Sequence, residues 1–284
     1  AAVDAMRRMF DTVQIRGTVV IGEGEIDKAP MLYIGEVVGG GGLEVDVAVD
    51  PIEGTNLVAK GLPNAIAVIG VAPRGCLLHA PDTYMEKIAV GPAAAGKISL
   101  DRSPTENIAV VAEAAGKDIR DLVVVILDRP CHEKIIQETR KAGARVKLIT
   151  DGDVAAAVSA AVAGSGVDML LGIGGAPEGV LAAVALKCLG GEIQGRLRPN
   201  SPAQEERLLS MGITDPSQLL TMDHMVRGDD CFFAATGITD GDLVRGVRFH
   251  GHVARTHSIV MRYQSGTIRY VEATHNLKRK PHVF

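Results

Sequence analysis

The sequence contains no tryptophan, and aromatic residues make up only 3% of its 284 positions. Base stacking and sugar stacking on aromatic faces are therefore poor candidates for its chemistry, and its core must be aliphatic. Cysteine is scarce as well. Cys76, Cys131, Cys188 and Cys231 stand far apart with no C-x-x-C pair, which argues against a disulfide framework or a zinc site and fits a reducing cytoplasm. No apolar run reaches membrane-spanning length. The opening AAVDAMRRMF lacks an initiating Met and a signal-peptide layout, so a native N-terminus further upstream is expected. There is no surplus of positive charge either: a formal net charge of −4 gives no general attraction to nucleic acid or anionic membrane. An enzyme for an anionic substrate would have to concentrate positive charge locally, through metal ions or a few basic side chains.

What is present is an ordinary globular balance, 46% hydrophobic and 23% charged, in a chain long enough for one large domain or two ordinary ones. The 33 glycines fall in short clusters rather than in a repeat, a mark of many tight backbone sites. Val3, Met6, Met9 and Phe10 recur at helical spacing in residues 1–14. Short apolar runs at residues 18–22, 45–49, 64–73, 76–79 and 85–90, separated by Gly and Pro turns, predict a largely antiparallel sheet. After residue 120 the pattern changes. Strands at 122–127, 146–150 and 169–173 alternate with helices at 132–142, 153–163 and 177–189, as in βαβ units. Strands return at 231–235, 257–263 and 267–273. The expectation is an α/β layered sandwich of two domains, residues 1–118 and 119–284.

The placement of the acids is the most informative feature. Acidic residues ordinarily occupy solvated helix faces, but here several end apolar strands beside glycine. Glu23, Glu25 and Asp27 follow the strand TVVIG in VVIGEGEID; Asp50 and Glu53 lie in AVDPIEGT; Glu178 follows a strand and a glycine turn in GIGGAPEG. Strand ends of this kind converge in the crevices where open α/β sheets place ligands. Carboxylates held together repel one another unless hard cations sit between them, and Mg²⁺ or Mn²⁺ takes such oxygen ligands along with waters and phosphate oxygens. Two or three ions would polarise a phosphoryl group and acidify water, while the amides and hydroxyl at Gly54-Thr55 suit a phosphate. Each acid also has a plain alternative: a strand-end Asp as a helix cap, Glu178 as a complement to a helix dipole, Glu25 and Asp27 as solvated turn residues. Three such places in one chain favour the site.

The segment DPIEGT, Asp50 to Thr55, resembles the D-P-[IL]-D-G-[ST] signature of the lithium-sensitive, Mg²⁺-dependent phosphatases. Its Glu53 form, together with VVIGEGEIDKAPMLYIGE, APDTYMEK, DGDVAA, GIGGAPEGV and ATGITDGDL, resembles the class II fructose-1,6-bisphosphatases of bacteria over nearly the whole chain. The resemblance implies a sugar-phosphatase fold, with a metal- and phosphate-binding first domain and a sugar-binding second one. It implies Glu23, Asp50, Glu53 and Glu178 as metal ligands, with two or three Mg²⁺ or Mn²⁺ ions. It places Thr55 beside the scissile phosphate to orient the attacking water, with Glu25 and Asp27 assigned to the same catalytic group. Glu53, Gly54, Thr55, Tyr84, Arg129, Pro130, Cys131, Asp151, Gly152, Asp153 and Gly175 would contact the sugar bisphosphate. The implied reaction is direct hydrolysis of the 1-phosphate of fructose 1,6-bisphosphate, in gluconeogenesis, without a phosphoenzyme.

Three departures from the family pattern stand out. The family carries an upstream stretch with a Lys and a metal-binding Asp that this chain begins after. Cys131 stands where a second basic residue is common, and residues 195–208 look shorter than the corresponding loop. The alternatives are a sedoheptulose 1,7-bisphosphatase, an inositol monophosphatase-like activity, or a non-catalytic member. Cys131 beside His132 invites a Cys–His nucleophile reading, but the two are sequence neighbours and no phosphatase loop follows. His250, His252 and His257 suggest metal ligands on a strand, against the plainer reading of a solvated edge. The basic tail NLKRKPHVF reads as solvated, with a regulatory or subunit contact as the alternative. Base rates for metabolic enzymes favour a homodimer or homotetramer.

Overall fold

The computed structural model describes residues 2–24 and 30–279. In chain order its strands are β1 (Ile15–Ile21), β2 (Val37–Val38), β3 (Leu43–Glu53), β4 (Ile66–Pro73), β5 (Tyr84–Val90), β6 (Val123–Leu127), β7 (Arg145–Ile149), β8 (Met169–Gly175), β9 (Glu192–Arg198), β10 (Phe232–Gly237), β11 (Arg248–His250), β12 (Val253–Arg262) and β13 (Thr267–Asn276). Its α-helices are α1 (Ala2–Phe10), α2 (Thr55–Lys60), α3 (Pro104–Ala115), α4 (Glu133–Ala142), α5 (Asp153–Ser159), α6 (Ala176–Leu189), α7 (Pro202–Ser210) and α8 (Met222–Met225).

Two sheets result. The first runs β12–β10–β4–β3–β1–β2, with β13 on one edge of β12 and β11 beside β10 on the other; only β1 and β3 pair in parallel. The second runs β7–β6–β8–β5–β9, parallel from β7 to β8 and antiparallel at β5 and β9. Strand pairing crosses residue 118 in both directions: β5 joins the later strands, and β10 to β13 return to the earlier ones.

Alternation along β3 shows why the layers form. Val45, Val47 and Val49 bury against α1 with Phe10 and Val19, while Ala48 turns into a second core with Asp46 and Asp50 on its side of the strand. That second core is filled by α5 and α6 and is shared with Met85, Ala89, Leu170, Ile193 and Leu197 of the other sheet. The far face of the second sheet, with Ile88, Val124, Ile126 and Leu171, packs on Ile108 and Val111 of α3 and Ile136 of α4. The layers are therefore helix, sheet, helix, sheet, helix. α6 (APEGVLAAVALKCL) has no polar stripe and buries nine of its residues, because it lies between two sheets rather than on a surface. Among the described residues Phe233 is the one aromatic in the set of largest fully buried side chains, in keeping with an aliphatic core.

Local differences from the sequence reading have physical causes. Residues 76–79 make only an isolated bridge, Leu77 with Val226, after a turn at Cys76. α5 ends at Ser159, short of the expected 163, where Ala160 to Gly164 turn away. α3, β9 and α7 were not anticipated. Ser103 and Glu106 close a reciprocal capping box at the start of α3, and Ser201 caps α7 directly after the short 199–200 connection.

Candidate active site

The site begins where β3 stops being regular. Pro51 has no N–H to give to β4, and the β3–β4 register shifts between Asp50 and Glu53. The Ile52 N–H, freed from the ladder, donates to Asp50 Oδ1 at 2.9 Å. Gly54 then adopts φ 86° and ψ 49°, a left-handed conformation that suits glycine, and starts α2 with the exposed Thr55 as its first residue. One buried anchor, Leu57, holds this short helix.

This segment docks on the start of α5. The Val154 N–H donates to Glu53 Oε1 at 3.1 Å, and the Asn56 side-chain amide donates to Asp151 Oδ2 at 3.2 Å. Glu53 and Asp153 are both buried, and Glu53 Oε2 has no hydrogen-bond partner. The β8–α6 turn brings in Glu178 in the first turn of α6, with its Oε2 also buried and unpartnered. Glu178, Asp50 and Glu23 line one cleft of about 250 Å³, together with the apolar side chains of Ile21, Val49 and Leu181. Asp82 lines it as well, a carboxylate that sequence reasoning passed over; its position just after Pro81 was the available signal.

These carboxylates resist ionisation. Burial pushes Asp50 up to about 6, against the help of the Ile52 N–H, and the charges of Glu23, Asp151 and Asp153 add to the shift. Burial holds Glu53 well above the ordinary range, reinforced by Asp153, Asp50 and Glu178. Glu178 rises to about 7 for the same reasons, although Lys87 pulls it back. Burial also raises Glu23.

Lys87 was missed by sequence reasoning. In YMEKIAV it reads as an ordinary strand lysine, yet alternation puts it with Met85 and Ala89 on the buried face of β5. Its Nζ lies 2.6 Å from Asp153 Oδ2 and donates to the Gly175 carbonyl at 2.8 Å. Gly174 makes room for the pair: a Cβ there would lie 2.0 Å from Asp153 Oδ2 and 3.1 Å from Lys87 Nζ.

The residues assigned to the sugar gather at one end of the second sheet. Gly175 ends β8 and pairs with Tyr84 at the start of β5; Arg129, Pro130 and Cys131 follow β6; Asp151, Gly152 and Asp153 follow β7. Tyr84 and Cys131 are exposed and Arg129 half-buried, and none of the three lines the carboxylate cleft. Glu25 and Asp27 lie outside the described residues.

Among the described residues no three His, Cys, Asp or Glu side chains are grouped tightly enough to hold an ion alone. Magnesium-type ions need fewer, since they keep waters and take substrate oxygens beside one or two carboxylates. The orphaned Oε2 atoms of Glu53 and Glu178 are oxygens of the right hardness, buried at a cost that a cation would offset. The donor set therefore fits a hard divalent cation.

The rival sites do not assemble. His132 is buried, with Nε2 accepting from the Ile173 N–H at 2.8 Å, so that Nδ1–H donates to the Leu127 carbonyl at 2.7 Å; neither nitrogen is free to act as a base for Cys131. His250 and His252 flank the β11–β12 turn, while His257 accepts from the Arg245 N–H and stacks on Tyr270. Of the basic tail, Asn276 ends β13 and residues 277–279 form a single turn; the rest lies outside the described residues.

A family model described as bacterial fructose-1,6-bisphosphatase, glpX-encoded, matches residues 1–275. A protein of Synechococcus sp. (strain JA-3-3Ab) named D-fructose 1,6-bisphosphatase class 2/sedoheptulose 1,7-bisphosphatase is 48% identical over 96% of this chain and 86% of its own length. A Synechocystis sp. protein of the same name is 46% identical over 99% of this chain and 89% of its own length.

Proposed function

The chain belongs to the glpX-type bacterial fructose-1,6-bisphosphatase family, a family of metal-dependent phosphatases, and we propose that it hydrolyses the 1-phosphate of fructose 1,6-bisphosphate to give fructose 6-phosphate and phosphate. The observation that carries this reading is the pair of buried, unpartnered oxygens on Glu53 and Glu178 beside the Asp50 cleft. Asp50, Glu53, Glu178 and Glu23 are the residues that would hold Mg²⁺ or Mn²⁺. When bound, two or three such ions would neutralise the carboxylates, polarise the phosphoryl group and acidify water.

The chain's own groups do the rest. Thr55 presents its hydroxyl from the first turn of α2, on the segment that carries Glu53, and orients the attacking water. The backbone amides of Gly54 and Thr55 would hold the transferred phosphate, while the Asn56 N–H donates to Asp151 Oδ2 at 3.4 Å. Asp151 and Asp153 accept hydroxyls of the sugar, and Tyr84 and Arg129 receive the remote phosphate, for which guanidinium and phenol are suited. Glu25 and Asp27 stay proposed members of the catalytic group. Cys131 supplies no charge, which leaves Arg129 to neutralise more of that phosphate.

A second substrate is favoured by one specific observation: the relatives' names join the fructose and sedoheptulose activities. An inositol monophosphatase-like activity is disfavoured by the full-length match to the fructose-1,6-bisphosphatase family. A cytoplasmic location agrees with the four free cysteines. A homo-oligomer agrees with the outer strand β13, which exposes Ile268, Tyr270 and Val271 on the sheet margin.

The test is phosphate release from fructose 1,6-bisphosphate, sedoheptulose 1,7-bisphosphate and inositol 1-phosphate, with Mg²⁺ or Mn²⁺ and with chelator. Metal-dependent release strongest on a sugar bisphosphate is expected. Release that survives chelation, or none from any ester, would overturn the proposal.

A further inference from the structure

Lys87 sits where the two halves of the site meet, and nothing in the reaction as proposed uses it. It is 2% exposed, on an interior strand of the second sheet. Its ammonium contacts Asp153, the first residue of α5, and the carbonyl of Gly175, which caps the start of α6. Both helices present functional residues from those first turns: Asp151 to Asp153 beside α5, Glu178 in α6. One side chain thus ties together the segment that receives the sugar and the segment that carries a carboxylate of the metal cleft.

Burying this charge is costly unless it is paired and hydrogen-bonded, and Lys87 has both kinds of partner. The backbone has been cleared for the pairing, because any side chain at Gly174 would enter the space of Asp153 Oδ2. Asp153 also lies next to the metal cleft's carboxylates in the chain's packing, since the N–H of its neighbour Val154 donates to Glu53 Oε1 at 3.1 Å. Without a fixed cation beside it, Asp153 would be one more carboxylate competing for the metal ions.

We propose that Lys87 is a positioning residue that claims Asp153: the ion pair keeps this carboxylate out of the metal cluster and fixes it, with the 151–153 turn, for the sugar. This rests on the metal-dependent phosphatase reading above. Lys87 touches neither the phosphate nor the metal ions. It acts through Asp153 and through the Gly175 carbonyl, and it sets how much negative charge is left for cations.

The sign of the effect on metal binding separates this role from simple structural support. In the full chain at pH 8, Mn²⁺ binding without substrate is measured by the loss of the free-ion electron paramagnetic resonance signal, alongside steady-state kinetics on fructose 1,6-bisphosphate. Lys87→Met removes a positive charge and releases a carboxylate, so it is expected to bind Mn²⁺ about tenfold more tightly. Its KM is expected to rise about tenfold, more than kcat falls, because the sugar loses an oriented acceptor. Asp153→Asn leaves Lys87 uncompensated, so it should bind Mn²⁺ more weakly while raising KM in the same direction. The double variant should return to within about threefold of the wild-type Mn²⁺ affinity, a coupling that only a charge partnership gives. Weaker Mn²⁺ binding by Lys87→Met, or a KM that does not move, overturns the proposal. Should Lys87→Met fail to fold, Asp153→Asn decides alone: unchanged or tighter Mn²⁺ binding sinks the idea. A wild type that binds Mn²⁺ but releases no phosphate defeats the phosphatase reading instead, and the opposite signs in the two variants still judge the ion pair. A wild type that does not bind Mn²⁺ defeats both.

Discussion

Glu53 and Val154 are 101 positions apart in the chain, yet the Val154 N–H donates to Glu53 Oε1 at 3.1 Å and leaves Oε2 of the same carboxylate buried with no partner. The metal-free protein therefore buries a carboxyl group that is satisfied on one side only and that burial keeps from ionising readily. Glu53→Gln keeps the acceptor for Val154 and removes the ionisable group. Its metal-free form is expected to be more stable than wild type by about 1 kcal/mol at pH 8, while turnover falls by a factor of about 100 or more. Thermal unfolding and phosphate release check the pair of effects; a variant that loses both stability and activity contradicts this account.

The raised carboxylates give a pH dependence whose sign follows from linkage. Asp50, titrating at about 6, and Glu178, at about 7, hold protons in the folded state at pH values where the unfolded chain has lost them. Their contribution is fully present below the unfolded value of about 4 and is lost as pH rises through the folded values. Metal ions replace the protons and reverse the loss. The difference in unfolding temperature between Mg²⁺- or Mn²⁺-loaded and chelated protein should therefore widen between pH 5 and 8. A constant difference across that range contradicts the prediction.

Thr55 is exposed at the first position of α2, so removing its hydroxyl should leave folding intact to within about 0.5 kcal/mol. Thr55→Ala is expected to lower kcat about 100-fold with a change in KM of under about threefold, as for a group acting mainly in the transition state. Thr55→Ser should recover most of the loss. A rise in KM alone would move Thr55 from catalysis to binding.

Gly174 and Gly61 make a matched comparison. Alanine at Gly61 meets open space but adopts φ 65°, and should cost about 1 kcal/mol with no kinetic consequence. Alanine at Gly174 collides with Asp153 Oδ2 and crowds Lys87, and should cost about 3 kcal/mol or more and raise KM. Denaturant unfolding and steady-state kinetics on the two variants are sufficient; equal costs would show that the crowding is relieved elsewhere.

The layered α/β architecture was legible because its signals are local. VDVAV alternates, LVVVIL does not, and Gly143 and Gly190 stop helices where the apolar pattern stops. The carboxylates Asp50, Glu53 and Glu178 were legible because acids at strand ends beside glycine are unusual. What escaped depends on pairing at a distance. A lysine in a strand does not announce that Asp153 lies across from it, and Asp82 becomes a cleft residue only because Glu178 and Leu181 of α6 line the same space. Nor does periodicity say which sheet a strand joins: β5 reads like its predecessors but pairs with β8 and β9. α3 was a different omission, since Ser103, Pro104 and Glu106 spell a helix start that the surrounding strand pattern masked.

The Ala65 N–H donates to Thr239 Oγ1 across 174 positions of sequence, at the end of a β4 ladder whose far partner is β10. A ribosome therefore releases the first sheet with one side of β4 open, and most of the chain must follow before β10 arrives to close it. Loop closure over such a span is slow, and an unpaired apolar strand is a site of misassembly while it waits. Chaperone demand during synthesis, rather than instability of the finished molecule, is where a truncation or substitution within β10 to β13 should first be felt.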